Sequence, residues 1–237
     1  MKLHRLLSRR IAQAKKDIRC HVTTEKDRQR CLRLEADVFA KDCAFTRVLG
    51  IGPESHYNLF APGLSEPDPH GISTHATDPA TNELIAGMRS EPHPENDVHQ
   101  YPTQDDGSVH EFFQILEEMD ALWPDLLKKE GLSPNSKEFF YFFTGCTHPN
   151  HTGHGIFKRL HDFTEDVAKQ KGFKYSYSLL VSKPMKHLAI NKLGYKNLLE
   201  IPYLDIEFRG KKLFAPYLEK NPELASESVI YGLKKLK

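Results

Sequence analysis

The chain has 237 residues with 33 basic and 32 acidic side chains, so its formal charge is +1 with histidine neutral. That balance gives no global reason to expect nucleic acid or an anionic membrane surface as a partner, and no apolar run approaches the roughly 20 residues that a membrane-spanning helix needs. The length suits one large domain, or a domain with an appendage, with a sizeable core. Four cysteines (Cys20, Cys31, Cys43 and Cys146) show neither C-x-x-C spacing nor framework density, so a soluble protein of a reducing, cytoplasmic compartment is expected.

Residues 1–16 read as a basic leading helix, with Leu3, Leu6, Leu7 and Ile11 on one side and arginines and lysines around them, ahead of a domain at 17–237. An Arg-rich, acid-free, amphipathic start is also how a mitochondrial presequence reads, and that alternative stays open. Asp17 to Val22 reads as a first strand, and Thr23 or Thr24 with Asp27 in the following turn marks a helix start. Cys31, Leu34 and Val38, with Leu32 and Phe39, give that helix an apolar face.

Prolines at 53, 62, 67 and 69 mark a loop around a short helix, Glu54 to Phe60, placed to cover a pocket. Gly71 to Thr77 and Leu84 to Arg89 read as antiparallel strands joined by Asp78-Pro79-Ala80-Thr81-Asn82, whose Pro and Asn are turn chemistry. Pro92 to Gly107 is polar and proline-rich and reads as an exposed loop. Its His93 and His99 lack a third partner at ligand spacing, so no metal site is expected there. Val109 to Lys129 is the longest helical pattern, with Phe112, Ile115, Leu116, Met119, Leu122, Trp123 and Leu126 inward and Pro124 predicting a kink or an interruption. Glu117 and Glu118 read as its solvated face.

From Glu138 to Gly172 a buried strand, a glycine turn and an amphipathic helix follow without a break. Glu138 to Phe143 is apolar and of strand length, while Ile156, Leu160, Phe163 and Val167 recur at helical spacing. Between them, Thr152-Gly153-His154-Gly155-Ile156 carries two glycines that let the backbone turn sharply and approach a ligand. Free N–H groups of the helix's first turn, backed by the positive end of its dipole, make such a turn a site for phosphate. The competing reading is a plain glycine turn of an α/β domain. There is no Lys after the glycines, as in a P-loop, and no G-x-G-x-x-G followed by a ribose-binding acid, which disfavours a nucleotide-binding domain. Phe173 to Val181 is the next strand, with Tyr175 and Tyr177 on one face and Ser176 and Ser178 on the other.

The turn resembles the phosphate-gripping Arg/Gln-x-x-Gly-x-Gly/Ala motif of the GNAT superfamily of acyl-CoA N-acyltransferases, with Thr152 in the first position and Phe157 in the last. The C-terminal third is similar to the insect and nematode arylalkylamine N-acetyltransferase branch: Asn191-Lys192-Leu193-Gly194-Tyr195 as a helix end capped by Gly194, Tyr203-Leu204-Asp205-Ile206 as a strand, Gly210 to Pro216 as a turn, and Ser228 to Leu236 as the last strand. Glu111 to Glu118 is similar to that branch's helix start ahead of the central strand.

The resemblance implies an α/β fold with a mixed, mostly antiparallel sheet of about seven strands, flanked by helices, in which strands 4 and 5 splay apart. It implies acetyl-CoA as cosubstrate, a small primary amine as partner, and direct attack of the amine on the thioester in a ternary complex. The cofactor would be held by Thr152, Gly153, His154, Gly155, Ile156 and Phe157 at the phosphates, and along its pantetheine arm by backbone groups around Thr144, Cys146 and Thr147. Tyr203 and Asp205 would wall the acceptor pocket. Phe39 to Thr46 is similar to the branch's segment that carries a Glu base, but Cys43 stands at that position, leaving Asp42, then His148 and His151, as candidate bases. The Tyr acid of many GNAT enzymes falls on Ile190. Ser182 matches a serine of the arylalkylamine branch, and would donate a hydrogen bond to the leaving sulfur or cap its helix. Lys183 and Lys186 would reach phosphates or lie in solvent. These departures keep a second reading open, a catalytically weak CoA-binding or interaction module.

Overall fold

The computed structural model describes residues 17–64, 70–93, 110–133, 137–224 and 227–237, so the basic leader at 1–16 and His99 lie outside the described residues. The chain builds one seven-stranded sheet from β1 (Arg19–Val22), β2 (Thr74–Thr77), β3 (Leu84–Pro92), β4 (Phe139–Thr147), β5 (Tyr175–Leu180), β6 (Lys196–Pro202) and β9 (Ser228–Lys235). Its order is β1-β2-β3-β4-β5-β9-β6, and β7 (Glu207–Phe208) with β8 (Lys211–Lys212) forms a separate ribbon. Every pairing in the large sheet is antiparallel except β4 with β5. The helices are α1 (Glu25–Asp42), α2 (Ala44–Val48), α3 (Pro53–Phe60), α4 (Glu111–Asp120), α5 (Trp123–Lys129), α6 (Ile156–Gln170), α7 (Lys183–Leu188) and α8 (Ala215–Lys220). The expected seven-stranded, mostly antiparallel α/β sheet is what forms. No helix among the described residues is long and apolar enough to cross a membrane.

The alternation of β4 explains the layering. Successive side chains of a strand face opposite sides, and here Phe139 and Tyr141 enter one core with Trp123, Tyr177 and Tyr231, while Phe140 and Phe142 enter the other with Ile156, Leu160 and Val167. A strand apolar on both faces needs cover on both, and α4 and α5 supply one layer and α6 the other. Trp123 is the anchor of the first layer: its ring packs edge-on against Tyr177 and Tyr231, and its indole N–H donates to Asp120 at 3.2 Å.

The long helical pattern is interrupted at Pro124, as expected: it forms two helices, with Pro124 in the first turn of α5, where a missing N–H is no loss. Three expectations are corrected. Leu122 is exposed, at the junction of the two helices, rather than inward. Tyr203 to Ile206 is not a strand: Tyr203–Asp205 is a 3-10 turn, since the Tyr203 ring stacks flat on Phe214 at 4.4 Å and its hydroxyl donates to the Val181 carbonyl, drawing the chain inward. His93 is buried rather than exposed, with Nδ1 at 2.6 Å from the Tyr177 hydroxyl. Gly194 does end the helix that follows Ser182, at φ +81°, after α7 closes with a π turn at Ala189–Leu193.

Removing the Trp123 indole should cost about 3–5 kcal/mol of unfolding free energy. Urea denaturation of Trp123→Ala is therefore expected to show a midpoint well below that of the native chain, with little change in slope.

Candidate active site

Strands β4 and β5 pair only over Phe139–Tyr141 and Tyr175–Tyr177. Past that point the last tie is the Ser178 hydroxyl, which donates to the Phe142 carbonyl at 2.8 Å. Beyond it β4 stays with β3 as far as Thr147, and β5 stays with β9 as far as Leu180, so the two strands part and leave a gap. A bulge marks the parting: the β3–β4 register steps from Arg89↔Thr144 to Ser90↔Phe142, so Phe143 falls at the register shift. Gly145 sits just beyond, where an added Cβ would come within 2.6 Å of the Phe142 ring and 2.7 Å of the Phe157 ring. Only a glycine lets both rings floor the gap.

The gap opens into a cavity of about 630 Å³, within the range of ligand sites. At one end lies the glycine turn. Gly153 and Gly155 have φ of +81° and +67°, and Gly155 is the N-cap of α6 with no side chain capping it. The first N–H groups of a helix have no partner within it, and the positive end of the helix dipole lies behind them, a combination that can hold an anion. Thr152, Gly153, Gly155, Ile156 and Phe157 all line the cavity, as do Thr144, Cys146 and Thr147 on β4. His154 does not; it lies half-buried beside the turn. Thr152 spends its hydroxyl proton on the Pro149 carbonyl, 3.0 Å away, and so braces the turn from within.

At the other end α1 runs out at Asp42, which is exposed and lines the cavity. Cys43, beside it, also touches the cavity but is buried at the α1–α2 corner. Burial pushes the Cys43 thiol up from its ordinary range, and it does the same at Cys146, so both remain neutral near pH 7. Neither is a base. Ser182 caps α7 by accepting the Met185 N–H at 3.4 Å and faces the same cavity. A hydroxyl that accepts one bond still has its own proton to donate.

Of the remaining candidates, the structure keeps only His151 at the cavity. His148 does not line it; its Nδ1 accepts the Asn150 N–H at 3.2 Å, capping a short 3-10 turn, whereas His151, three residues on, does line it. Tyr203 is held in the core by Phe214 and reaches the site only through the Val181 carbonyl. Asp205 is exposed and 3.9 Å from Lys212. Lys186 is no phosphate ligand, since its ammonium bonds Ser228 and pairs with Glu227 at 3.1 Å, and Lys183 projects into solvent 3.9 Å from Glu227. Two other lysines do line the cavity, Lys41 near the end of α1 and Lys158 on the first turn of α6.

Glu35 was not singled out from the sequence, yet it is the polar centre of this region. Its side chain is 7% exposed, and its oxygens accept from the Thr144 hydroxyl at 2.8 Å, from Arg89 at 3.0 Å and from His56 at 3.4 Å. Arg89 is itself sandwiched between the rings of Phe60 and Phe143, 4.3 and 4.5 Å from their centroids. Burial pushes the Glu35 carboxyl up, but Arg89 and the bonds from His56 and Thr144 together outweigh it and hold the group below the usual glutamate range. One carboxylate thus joins α1, α3, β3 and β4 behind the bulge. The signal was present in the spacing, because Glu35 stands four residues after Cys31 and three before Val38, inside the apolar stripe of α1 rather than opposite it.

The architecture matches solved acetyltransferases. The chain superimposes on the C-terminal condensation domain of Ebony in complex with beta-alanyl-dopamine (TM-score 0.72, 15% identity, 92% of this chain and 99% of that one). It also superimposes on a mosquito arylalkylamine N-acetyltransferase-like 5b (0.68, 20%, 93% and 100%) and on a Drosophila melanogaster polyamine N-acetyltransferase that forms N-acetylagmatine (0.64, 16%, 93% and 100%). No family model and no curated protein sequence matches the chain. At these identities the likeness establishes the fold, and the fold is that of the GNAT acetyltransferases, with its parted fourth and fifth strands.

Because the Glu35 pKa lies below its unfolded value, its contribution to stability is complete above about pH 4.3 and is lost as the pH falls through the folded value. Glu35→Ala should therefore unfold about 3 kcal/mol more easily at pH 7. In paired melts the gap from the native chain is expected to narrow below pH 4; a gap that widens there contradicts the charge-paired assignment.

Proposed function

We propose that the protein is an acyl-CoA-dependent N-acyltransferase that carries an acetyl group from acetyl-CoA to a primary amine. The observation that carries this reading is the continuity of the cavity, which runs from the uncapped first turn of α6, through the gap between β4 and β5, to Asp42 and Ser182. An anion at one end, a flexible arm in the gap and a reacting centre at the far end are what an acyl-CoA requires. In this reading the diphosphate takes the amides from Gly153 to Phe157, and the arm takes backbone groups of Thr144 to Thr147 that β5 has released.

The acceptor end supports an arylalkylamine. Phe39 and Phe143 line the cavity together with Asp42, and aromatic residues with a carboxylate suit an aryl group joined to an ammonium. An alkylammonium with a pKa of roughly 10 must lose a proton before it attacks. Asp42 is the accessible carboxylate for that step, directly or through water, since the neighbouring Cys43 thiol is held neutral. The deprotonated nitrogen adds to the thioester carbonyl, the tetrahedral adduct loses its second N–H proton to solvent through Asp42 as the C–S bond breaks, and the Ser182 hydroxyl donates a hydrogen bond to the departing thiolate, which then takes a proton from solvent. Most of the rate comes from holding amine and thioester together in one cavity.

Thiol release from acetyl-CoA, measured over a panel of aryl amines, polyamines and amino acids, tests the reading. Turnover with at least one amine is expected. Tight binding of acetyl-CoA and desulfo-CoA without thiol release for any amine would select the CoA-binding module instead, and no binding of either would remove both. Asp42→Asn is expected to lower kcat/KM by about 10²-fold, and Ser182→Ala by about tenfold, with calorimetric acyl-CoA affinity unchanged in each. Gly155→Glu places a carboxylate where the phosphates sit; calorimetry should show cofactor binding lost while circular dichroism shows the protein folded.

A further inference from the structure

A second cluster of chemically active side chains stands at the edge of the cavity, outside the machinery above. Glu83, at the end of the β2–β3 hairpin, comes together with His148 and His151 from the loop between β4 and α6. One ligand atom from each lies within 4.8 Å of the other two, and His151 Nε2 is 3.6 Å from Glu83 Oε1. We propose that these three residues bind a divalent cation of the zinc class.

The backbone holds the ligands in place. The His148 N–H donates to the Ile85 carbonyl at 2.8 Å, tying the loop to the hairpin two residues past Glu83, and the His151 N–H donates to the His148 carbonyl at 2.8 Å. That second bond closes the 3-10 turn at Pro149–His151 and brings residues three apart onto one side of it. The two imidazoles stand 5.4 Å apart, centre to centre, over a single carboxylate. An ion pair with Glu83 needs only one of them; two imidazoles and a carboxylate make a three-ligand set with room for water as the fourth. Nitrogen donors select zinc and its neighbours, whereas magnesium and calcium take oxygen. Ligation through His148 Nε2 moves that ring's proton to Nδ1, so metal and the Asn150 N–H compete for it.

The position gives the cation a consequence. His151 lines the cavity and is followed directly by Thr152, where the glycine turn begins. A metal across Glu83, His148 and His151 therefore pins the start of that turn to the neighbouring hairpin. The inference does not rest on the acyltransferase reading, because the cluster binds or fails to bind metal whatever the cavity holds.

The test is calorimetric titration of the chelator-stripped full chain with zinc chloride, with magnesium chloride as the control. One saturable zinc per chain is expected, no magnesium binding, and a rise in melting temperature on adding zinc. Removing an outer partner of a metal ligand costs about 10–100-fold in affinity, so losing a ligand itself, in Glu83→Gln or in the double variant His148→Ala/His151→Ala, should weaken zinc by at least about tenfold. Cobalt(II) should give visible absorption bands in the native chain that both variants lose. The two variants change different elements, so a folding defect in one leaves the other to decide. Absence of saturable zinc binding, magnesium binding of equal strength, or zinc affinity unchanged in both variants would overturn the proposal.

Discussion

A carboxylate removed from water has to be matched by charge and hydrogen bonds, and the way Glu35 is matched organises the whole region around the cavity. Its three donors come from α3, β3 and β4, so satisfying one charge places the short helix over the sheet, the Arg89 side chain between two aromatic rings, and Thr144 just beyond the bulge. Removing any one partner would leave buried polarity unmatched, at a cost of several kcal/mol. The geometry that this enforces is a parting of strands. With β4 committed to β3 through and past Phe143, and β5 committed to β9, the backbone between them has no strand to pair with.

An unpaired stretch of central backbone is normally a defect, because buried N–H and C=O groups require partners. Here the parting lies next to a helix end that no side chain caps, and both border one cavity. In the proposed reading, a ligand with phosphates at one end and amides along its arm would use both. The same reasoning explains the glycines. Gly145 keeps the aromatic floor flat enough for an arm to lie on, and Gly155 allows the left-handed turn that aims the first amides of α6 into the cavity.

The chemistry at the far end is assembled differently from the pattern that the sequence resembles. Where a glutamate base is expected the chain has a buried thiol, and burial keeps that thiol protonated. Two carboxylates of the same helix differ in setting: Asp42, beside the thiol, is exposed at the cavity, and Glu35, two turns earlier, is buried and charge-paired. A low pKa and saturated oxygens suit Glu35 to holding structure and not to exchanging protons.

Much of this was legible in the order of residues. The strand, glycine turn and helix from Glu138 onward announce themselves by local rules, namely the period of the apolar side chains and the freedom of glycine, and so do the Gly194 cap and the split that Pro124 imposes. That the glycine turn precedes a helix could be read for the same reason, since its neighbours in space are its neighbours in the chain. Tertiary structure decided whatever depends on distant partners. His93 is buried because Tyr177, 84 residues away, receives it; Tyr203 is drawn into the core by Phe214 and Val181; and His148 stands beside Glu83 and does not line the cavity. Glu35 shows the division most clearly. Its place in the apolar stripe of α1 can be read from spacing, but its partners lie 21, 54 and 109 residues further along the chain, and only folding brings them within hydrogen-bonding reach.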